Sequence, residues 1–474
     1  MLRKIFGNSI IYSIGPQIPR LAGIFVLPLI TPFLTSTDYG IYGLITAYTA
    51  AFGALADLGM SVVMVNSFFK YPVRWPFIWK QIHGYLIIWS ILFGLLLGIL
   101  LYFIIPHEAD KNRWLILLST IIPIVFFNTT ITFGTRYYQF SASPLFVSIT
   151  TAVVGSISII VNYLAIAVYK LGYMGWFVSS LFTSFLLFLA YVYPVFIKYR
   201  LGPIFAFRRR FLTKNLKVAL PLIPHEYSAY LINTSDRIVF GIVGVKLSAQ
   251  GKYNLAYTFG NYFEFFGTAV GMAIAPFYTK LNAKQTGKSE LDSRNLTFFF
   301  QTLFLFIGFI TGLWCKEILK ILIRNADLQK AYPIAIIIIM GYMYRPMYWS
   351  CNTRLSFYEK TGQLWKISFI AGVINVALNL IFVPLYGVYA AAVTTFLALL
   401  YLGFSGFFLK AYRESKPPNH YPVFWLFLII SVSAIVFLIK DISVAYKVVL
   451  SVITTFILLL ACLRFRKQLM TIGL

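Results

Sequence analysis

The stretch IHGYLIIWSILFGLLLGILLYFII, residues 82–105, carries no Asp, Glu, Lys or Arg. At about 1.5 Å per helical residue it can cross a hydrocarbon core roughly 30 Å thick. Lipid offers no partner to a backbone N–H or C=O, so such a segment must be helix. Similar runs recur along the chain: 9–33, 40–68, 114–138, 143–168, 173–196, 216–243, 252–279, 297–318, 331–352, 365–384, 387–411, 421–439 and 444–463. The composition agrees, with 59% hydrophobic and 11% charged residues and a mean hydropathy of +0.80. The two-residue alternation of a transmembrane barrel is absent. The sequence predicts an all-α polytopic membrane protein of about fourteen transmembrane helices.

The net charge of +26 does not point to nucleic acid, because the charges cluster at the ends of the apolar runs. With the N-terminus cytoplasmic, 26 of the 40 lysines and arginines fall in cytoplasmic segments and 11 in outer ones. The excess of basic residues inside predicts that both termini are cytoplasmic. The basic start reaches Pro16, Pro19 and Arg20 without a small-residue cleavage site, so it reads as the first helix. Cys315, Cys351 and Cys462 have neither disulfide nor metal spacing, and no cofactor is expected.

Two internal matches organise the chain. TSTDYGIYGLITAY (35–48) resembles KLSAQGKYNLAYTF (246–259), and VNYLAIAVYKLGYMG (161–175) resembles LNLIFVPLYGVYAA (378–391), which pairs Asn162 with Asn379. Gly40 and Gly251 are 211 residues apart and the two asparagines 217, so the offsets nearly agree. They predict two six-helix lobes, 1–200 and 216–412, a basic cytoplasmic linker at 201–215 that ends in FAFRRRFLTKN, and an additional helix pair and tail at 413–474. Parallel repeats of this kind occur in secondary transporters, with the substrate between the repeats.

The segments PLITPFLTSTDYGIYGL (28–44), DLGM (57–60), ALPLIPHEYSAYLINTSDRIVFG (219–241), AQGKYNLAY (249–257) and LYGVYAAAVTT (385–395) occur in order. Together they resemble the Wzx-type polysaccharide flippases of the MOP (MATE-like) superfamily, which move O-antigen or capsule repeat units. The resemblance implies two lobes around a cavity that opens to each side in turn. It also implies a substrate of undecaprenyl-pyrophosphate carrying a short oligosaccharide, delivered to the outer leaflet of the bacterial inner membrane. A polysaccharide polymerase and a chain-length regulator are implied as possible partners.

Ionisable residues at membrane depth mark candidate sites. Arg20 lies near mid-membrane in a helix interrupted by Pro16 and Pro19, which suits a moving gate. It is read as a pyrophosphate contact or as a structural partner of Asp57. Glu264 has no charged neighbour within a turn, so it is read as an ion-coupling group or as the partner of a cation on another helix. Asp57, His225 and Glu226 join it as candidates for coupling to H+ or Na+. Arg345 stands among Tyr344, Tyr348 and Trp349, a cation for phosphate beside aromatic faces for sugars. Asp236 and Arg237 are adjacent and point about 100° apart, so each must seek partners elsewhere. Helix geometry puts them near an outer mouth, Arg237 as a late substrate contact and Asp236 as a gate. TGKS (286–289) lacks the first glycine of a phosphate-binding loop, since Asn282 stands there.

Rival readings are a proton- or sodium-coupled multidrug exporter, a peptidoglycan-precursor flippase, and a membrane glycosyl-transfer enzyme. The last would need a large outer loop with paired carboxylates, and the outer segments are short. Arg20→Ala should cut translocation while the amount of protein in the membrane stays unchanged. Loss of folded protein, measured by detergent extraction and size-exclusion profile, would mark Arg20 as structural instead.

Overall fold

The computed structural model describes residues 17–53, 55–141, 143–206, 209–220 and 223–469. Pro16 lies outside these residues, as do the side chains of Arg20, His225 and Glu226. Among the described residues the chain is helical with no strand, the fold of a multi-pass membrane protein. Eight helices are long and apolar enough to cross a bilayer, and Ala22–Phe33 and Pro422–Leu438 are shorter apolar helices. The chain divides into two compact units, Met1–Tyr230 and Leu231–Leu474, and the division falls inside the helix Ile223–Asn233.

In the first unit, α1 (Gln17–Ile30), α2 (Ser36–Gly53), α3 (Met60–Lys70) and α4 (Trp75–Ile104) come first. They are followed by α5 (Arg113–Ile122), α6 (Asn128–Phe140), α7 (Pro144–Tyr163) and α8 (Met174–Val192). The run at 40–68 is therefore not one helix. Leu58 and Gly59 adopt left-handed conformations (φ 50° and 69°), and the Asp57 carboxylate accepts from Gly59 N (3.0 Å) and Ser61 Oγ (2.6 Å) at the start of α3. An Asp that bonds the next turn's backbone favours a helix start over a helix interior. α5 and α6 are continuous through a wider turn at Pro123–Phe127, where Pro123 removes a backbone donor.

The core of this unit centres on Trp79, Phe133, Leu86 and Val195. The indole of Trp79 donates to Met64 O (3.2 Å). Residues 201–206 cross the start of α4 in extended form. Ile204 N donates to Lys80 O (2.9 Å), Gln81 Nε2 donates to Ala206 O (3.0 Å), and His83 Nδ1 contacts Leu201 O (2.8 Å). Gly84 permits this crossing, because a Cβ there would meet Ile204 O at 2.3 Å. Next comes α9 (Arg209–Ala219).

α10 (Ile223–Asn233) leads into the second unit, which holds α11 (Ser235–Val243), α12 (Leu247–Lys284), α13 (Gly287–Leu313), α14 (Cys315–Leu322) and α15 (Ala326–Gln329). It continues with α16 (Tyr332–Gly341), α17 (Arg345–Phe357), α18 (Leu364–Tyr386), α19 (Val388–Phe404) and α20 (Lys410–Glu414), and ends with α21 (Pro422–Leu438) and α22 (Val444–Leu469). TGKS is a helix start: Ser289 N donates to Thr286 Oγ1 (3.1 Å), and Thr286 N donates to Ser289 Oγ (3.0 Å).

The final pair is pinned at both ends of α21. At one end Lys316 Nζ meets Asp441 (2.6 Å), and fully buried Lys447 meets both oxygens of Glu317 (2.9 and 2.8 Å). At the other, buried His420 contacts Ser350 Oγ through Nε2 (3.0 Å) and Pro418 O through Nδ1 (2.8 Å). Nearby, Arg354 binds Glu290 (2.5 Å) and Ser415. Burial, opposed by the Pro418 contact, pushes the His420 imidazole down to about 4. The folded state thus holds His420 neutral, while the unfolded chain protonates it near pH 6.5. Stability from this group is complete above about pH 6.5 and is lost as pH falls toward 4, on the order of 3 kcal/mol in all. The unfolding midpoint of the detergent-solubilised protein should drop between pH 7 and 5, and His420→Gln should flatten that drop. An equally steep decline in the variant would exclude His420 as its source.

Candidate functional site

A carboxylate buried in an apolar bundle must find donors, and Asp236, on α11, is fully buried. The Tyr253 hydroxyl on α12 donates to it, as does Thr395 Oγ1 on α19 (3.1 Å). The amides of Asn375 (3.1 Å) and Asn379 (2.7 Å), one turn apart on α18, supply two more bonds. Thr394 donates in turn to Asn379 Oδ1. Four helices thereby converge on one carboxylate.

Arg237 turns the other way. Its Nε donates to Asn254 Oδ1 (2.8 Å) and its NH1 to Asn233 O (2.7 Å), while the guanidinium lies 4.3 Å from the Tyr257 ring centroid. The two adjacent charges find separate partners on other elements. They do so inside the protein, with Arg237 only 9% exposed, and not at a solvated mouth. Helix geometry measures depth along the axis; the burial comes from the sides, from α12, α18 and α19.

Glu264 and Arg345 come together. Arg345 NH2 donates to Glu264 Oε1 (3.0 Å), its NH1 donates to Thr268 Oγ1 (3.1 Å), and Tyr342 OH donates to Glu264 Oε2 (3.3 Å). Gly267 and Gly271, one turn apart on α12, make room for α17. A Cβ at Gly267 would sit 2.5 Å from Arg345 Cδ, and one at Gly271 would sit 2.7 Å from Trp349 Nε1. Arg345 Nε is buried without a hydrogen-bond partner. Tyr344 and Trp349 are buried too, the latter edge-on to Phe304 (5.2 Å), whereas Tyr348 is half-buried. On the Arg237 side, the Tyr257 ring lies under the guanidinium and its hydroxyl donates to Asn233 Oδ1 (3.2 Å).

Of the other expected site residues, Asp57 lies in the first unit, in the break before α3. With Ser90, Asn128 and Thr132 it lines a small cavity. Pro19 lies in α1, and His225 and Glu226 lie in the first turn of α10. Sequence reasoning missed Tyr253, Asn375 and Thr395 as members of the Asp236 cluster. Asn379 carried a signal as one of the repeat-marked asparagines.

A hard cation takes oxygen ligands. Asp236 and Thr395 present oxygens, but the amides of Asn375 and Asn379 present nitrogen to the carboxylate; both would have to turn over to complete an oxygen cage. Among the described residues no three His, Cys, Asp or Glu side chains stand together to hold a metal ion.

A family described as "Polysaccharide biosynthesis protein" matches residues 5–282. Among solved structures, the chain is similar to "Lipid II flippase MurJ, inward closed conformation" at 19% identity and a TM-score of 0.60, over 93% of this chain and 100% of that one. It is similar to an inward-facing multidrug resistance MATE family transporter of the MOP superfamily at 13% identity and a TM-score of 0.60, over 88% and 96% of the two chains. It is also similar to the Vibrio cholerae MATE transporter VcmN at 13% identity and a TM-score of 0.52, over 88% and 98%. At these identities the likeness is one of fold. No curated protein sequence matches the chain.

Asp236→Leu would leave the hydroxyl donors of Tyr253 and Thr395 without the carboxylate, each costing about 1–3 kcal/mol, while the amides of Asn375 and Asn379 would keep their contacts to Ile232 O (3.2 Å) and Asn375 Oδ1 (3.4 Å). The variant should unfold well below the wild type, with Asp236→Asn in between, by fluorescence-monitored thermal melting. A melting point unchanged in Asp236→Leu would show that the cluster does not hold these helices together.

Proposed function

The chain belongs to the polysaccharide biosynthesis protein family, and from that premise we propose that it is a flippase for undecaprenyl-pyrophosphate-linked oligosaccharide repeat units. It moves them from the cytoplasmic to the outer leaflet of the bacterial inner membrane. The observation that carries this reading is the combination of that family with a transporter fold spanning almost the whole chain. A transporter fold in polysaccharide assembly has a precursor to move. No bond of the substrate breaks, so the chain needs no catalytic base and acts as a transporter, not an enzyme.

In this proposal the lobes 1–200 and 216–412, joined by the linker 201–215, alternate access to the two leaflets, and the pair at 413–474 moves with the second lobe. The pyrophosphate must be desolvated, and fixed guanidinium groups offset that loss. Arg345 is already neutralised by Glu264, so phosphate can take it only when that pair parts. Once its cation is withdrawn, Glu264 is the group that serves coupling to H+ or Na+. The exchange ties anion movement to the coupling group through two side chains in contact. The unpartnered Nε of Arg345 gives an incoming phosphate an extra donor. Arg20 and Arg237 are the further cations in the spans, and Tyr348 is the more open aromatic beside Arg345.

A strain lacking the chain should lose surface polysaccharide and hold lipid-linked repeat units on the cytoplasmic face, where they resist an externally added glycosidase. Glu264→Gln should restore surface polysaccharide only in part, with transport less sensitive to the proton gradient. Intact polysaccharide together with raised drug sensitivity in the null strain would favour the multidrug exporter that the MATE likeness also accommodates.

A further inference from the structure

The first unit holds a cavity of about 380 Å³ that the charged clusters above do not use. Thr46, Thr49, Ser119, Asn128, Ser180 and Ser184 supply its polar wall, Tyr42 and Phe177 its aromatic one, and no charged residue among the described ones lines it. We infer that this cavity is a subsite for uncharged sugar residues of the substrate, an assignment that rests on the flippase reading.

The hydroxyls are set for one kind of ligand. Thr46 Oγ1 donates to Tyr42 O (2.7 Å), Thr49 Oγ1 to Ile45 O (2.8 Å), Ser119 Oγ to Ile116 O (3.0 Å) and Ser184 Oγ to Ser180 O (2.9 Å). Each hydroxyl has spent its hydrogen on its own helix and offers lone pairs to the cavity. A ligand that satisfies a wall of acceptors must bring donors, and a sugar's ring hydroxyls do so. Asn128 is exposed at the wall with no hydrogen-bond partner among the described residues, and it adds two donors and one acceptor. Tyr42 and Phe177 meet at 5.3 Å between centroids and form an apolar face for the C–H side of a sugar ring.

The missing charges are as informative. A phosphate would require a cation in the wall, and an organic cation would be better held by a carboxylate. Asp57 belongs to a neighbouring cavity that shares Ile124 and Asn128, and both of its oxygens already bond Gly59 and Ser61. The subsite therefore reads the glycan and leaves the pyrophosphate to the arginines.

The test uses the full-length protein in lipid nanodiscs and saturation-transfer NMR with three probes: maltose, glucuronic acid and tetraphenylphosphonium. Maltose should give signal and glucuronic acid should give less. Thr49→Val with Ser184→Ala should weaken maltose about fivefold or more, since two hydrogen bonds are lost. Both substitutions preserve shape, so melting at the wild-type temperature is expected and checks the fold. Ser180→Trp, which fills the cavity, should abolish the maltose signal and the restoration of surface polysaccharide in the null strain. If Ser180→Trp restores polysaccharide fully and maltose never binds, the sugar subsite is wrong while the flippase reading stands. If tetraphenylphosphonium binds, is displaced by Ser180→Trp, and maltose does not bind, both readings fail.

Discussion

Hydrocarbon offers no hydrogen bonds, so every charge carried to membrane depth must be met by the protein itself. In the second unit this constraint sets the arrangement of helices. Asp236 draws donors from α12, α18 and α19, and each of those helices contributes a side chain to the one carboxylate. Glu264 and Arg345 join α12 to α17 in the same way. The 38-residue α12 takes part in both clusters, with Tyr253 and Asn254 near one end and Glu264 and Thr268 three turns further on. A single long helix therefore registers two polar sites against one another. Any tilt that loosens one of them is felt at the other.

The apolar runs made the helices legible in the sequence, because hydropathy and length are properties of the segment alone. The interruptions were less legible. The break before α3 follows from Asp57 bonding Gly59 and Ser61, and the division of α10 from α11 falls at Thr234; neither disturbs the mean hydropathy of its run. The charged members of the sites could be named because they stand out against an apolar background. Their uncharged partners could not: Tyr253, Asn375 and Thr395 lie 17, 139 and 159 residues from Asp236. Only the fold brings such distant positions together. The internal repeat was a partial exception, since it singled out Asn379 without saying what that amide holds.

The repeat also shows how two similar segments diverge. Both of its first copies open a helix, at Ser36 and at Leu247. In the first copy Thr35 and Asp38 cap each other, Thr35 N donating to the Asp38 carboxylate at 2.7 Å, and the helix stops at Gly53. In the second the helix continues unbroken to Lys284. The second pair diverges as well: Asn379 is bonded to Asp236, whereas the buried Oδ1 of Asn162 has no partner among the described residues. Within the first unit the polar groups are mostly hydroxyls that return to their own backbones, a cheap way to carry oxygen into lipid. The second has such hydroxyls too, and adds charges and amides that reach across helices.

That contrast bears on what each unit is suited to do. Hydroxyls bonded to their own helix hold no neighbouring helix in place, so under the subsite inference the wall they form shifts for sugars that differ in stereochemistry without breaking a network. The carboxylate and guanidinium clusters are bonded across helices, and a competing charge must break those bonds to enter. A lipid-linked oligosaccharide has the same two parts, a variable neutral glycan and an invariant charged anchor. Loose recognition suits the first and strict electrostatic exchange suits the second. Under the proposed flippase function, one chain serves both by keeping the two kinds of polar chemistry apart, with Thr and Ser around α2, α5 and α8 and Asp, Glu and Arg around α11, α12 and α17.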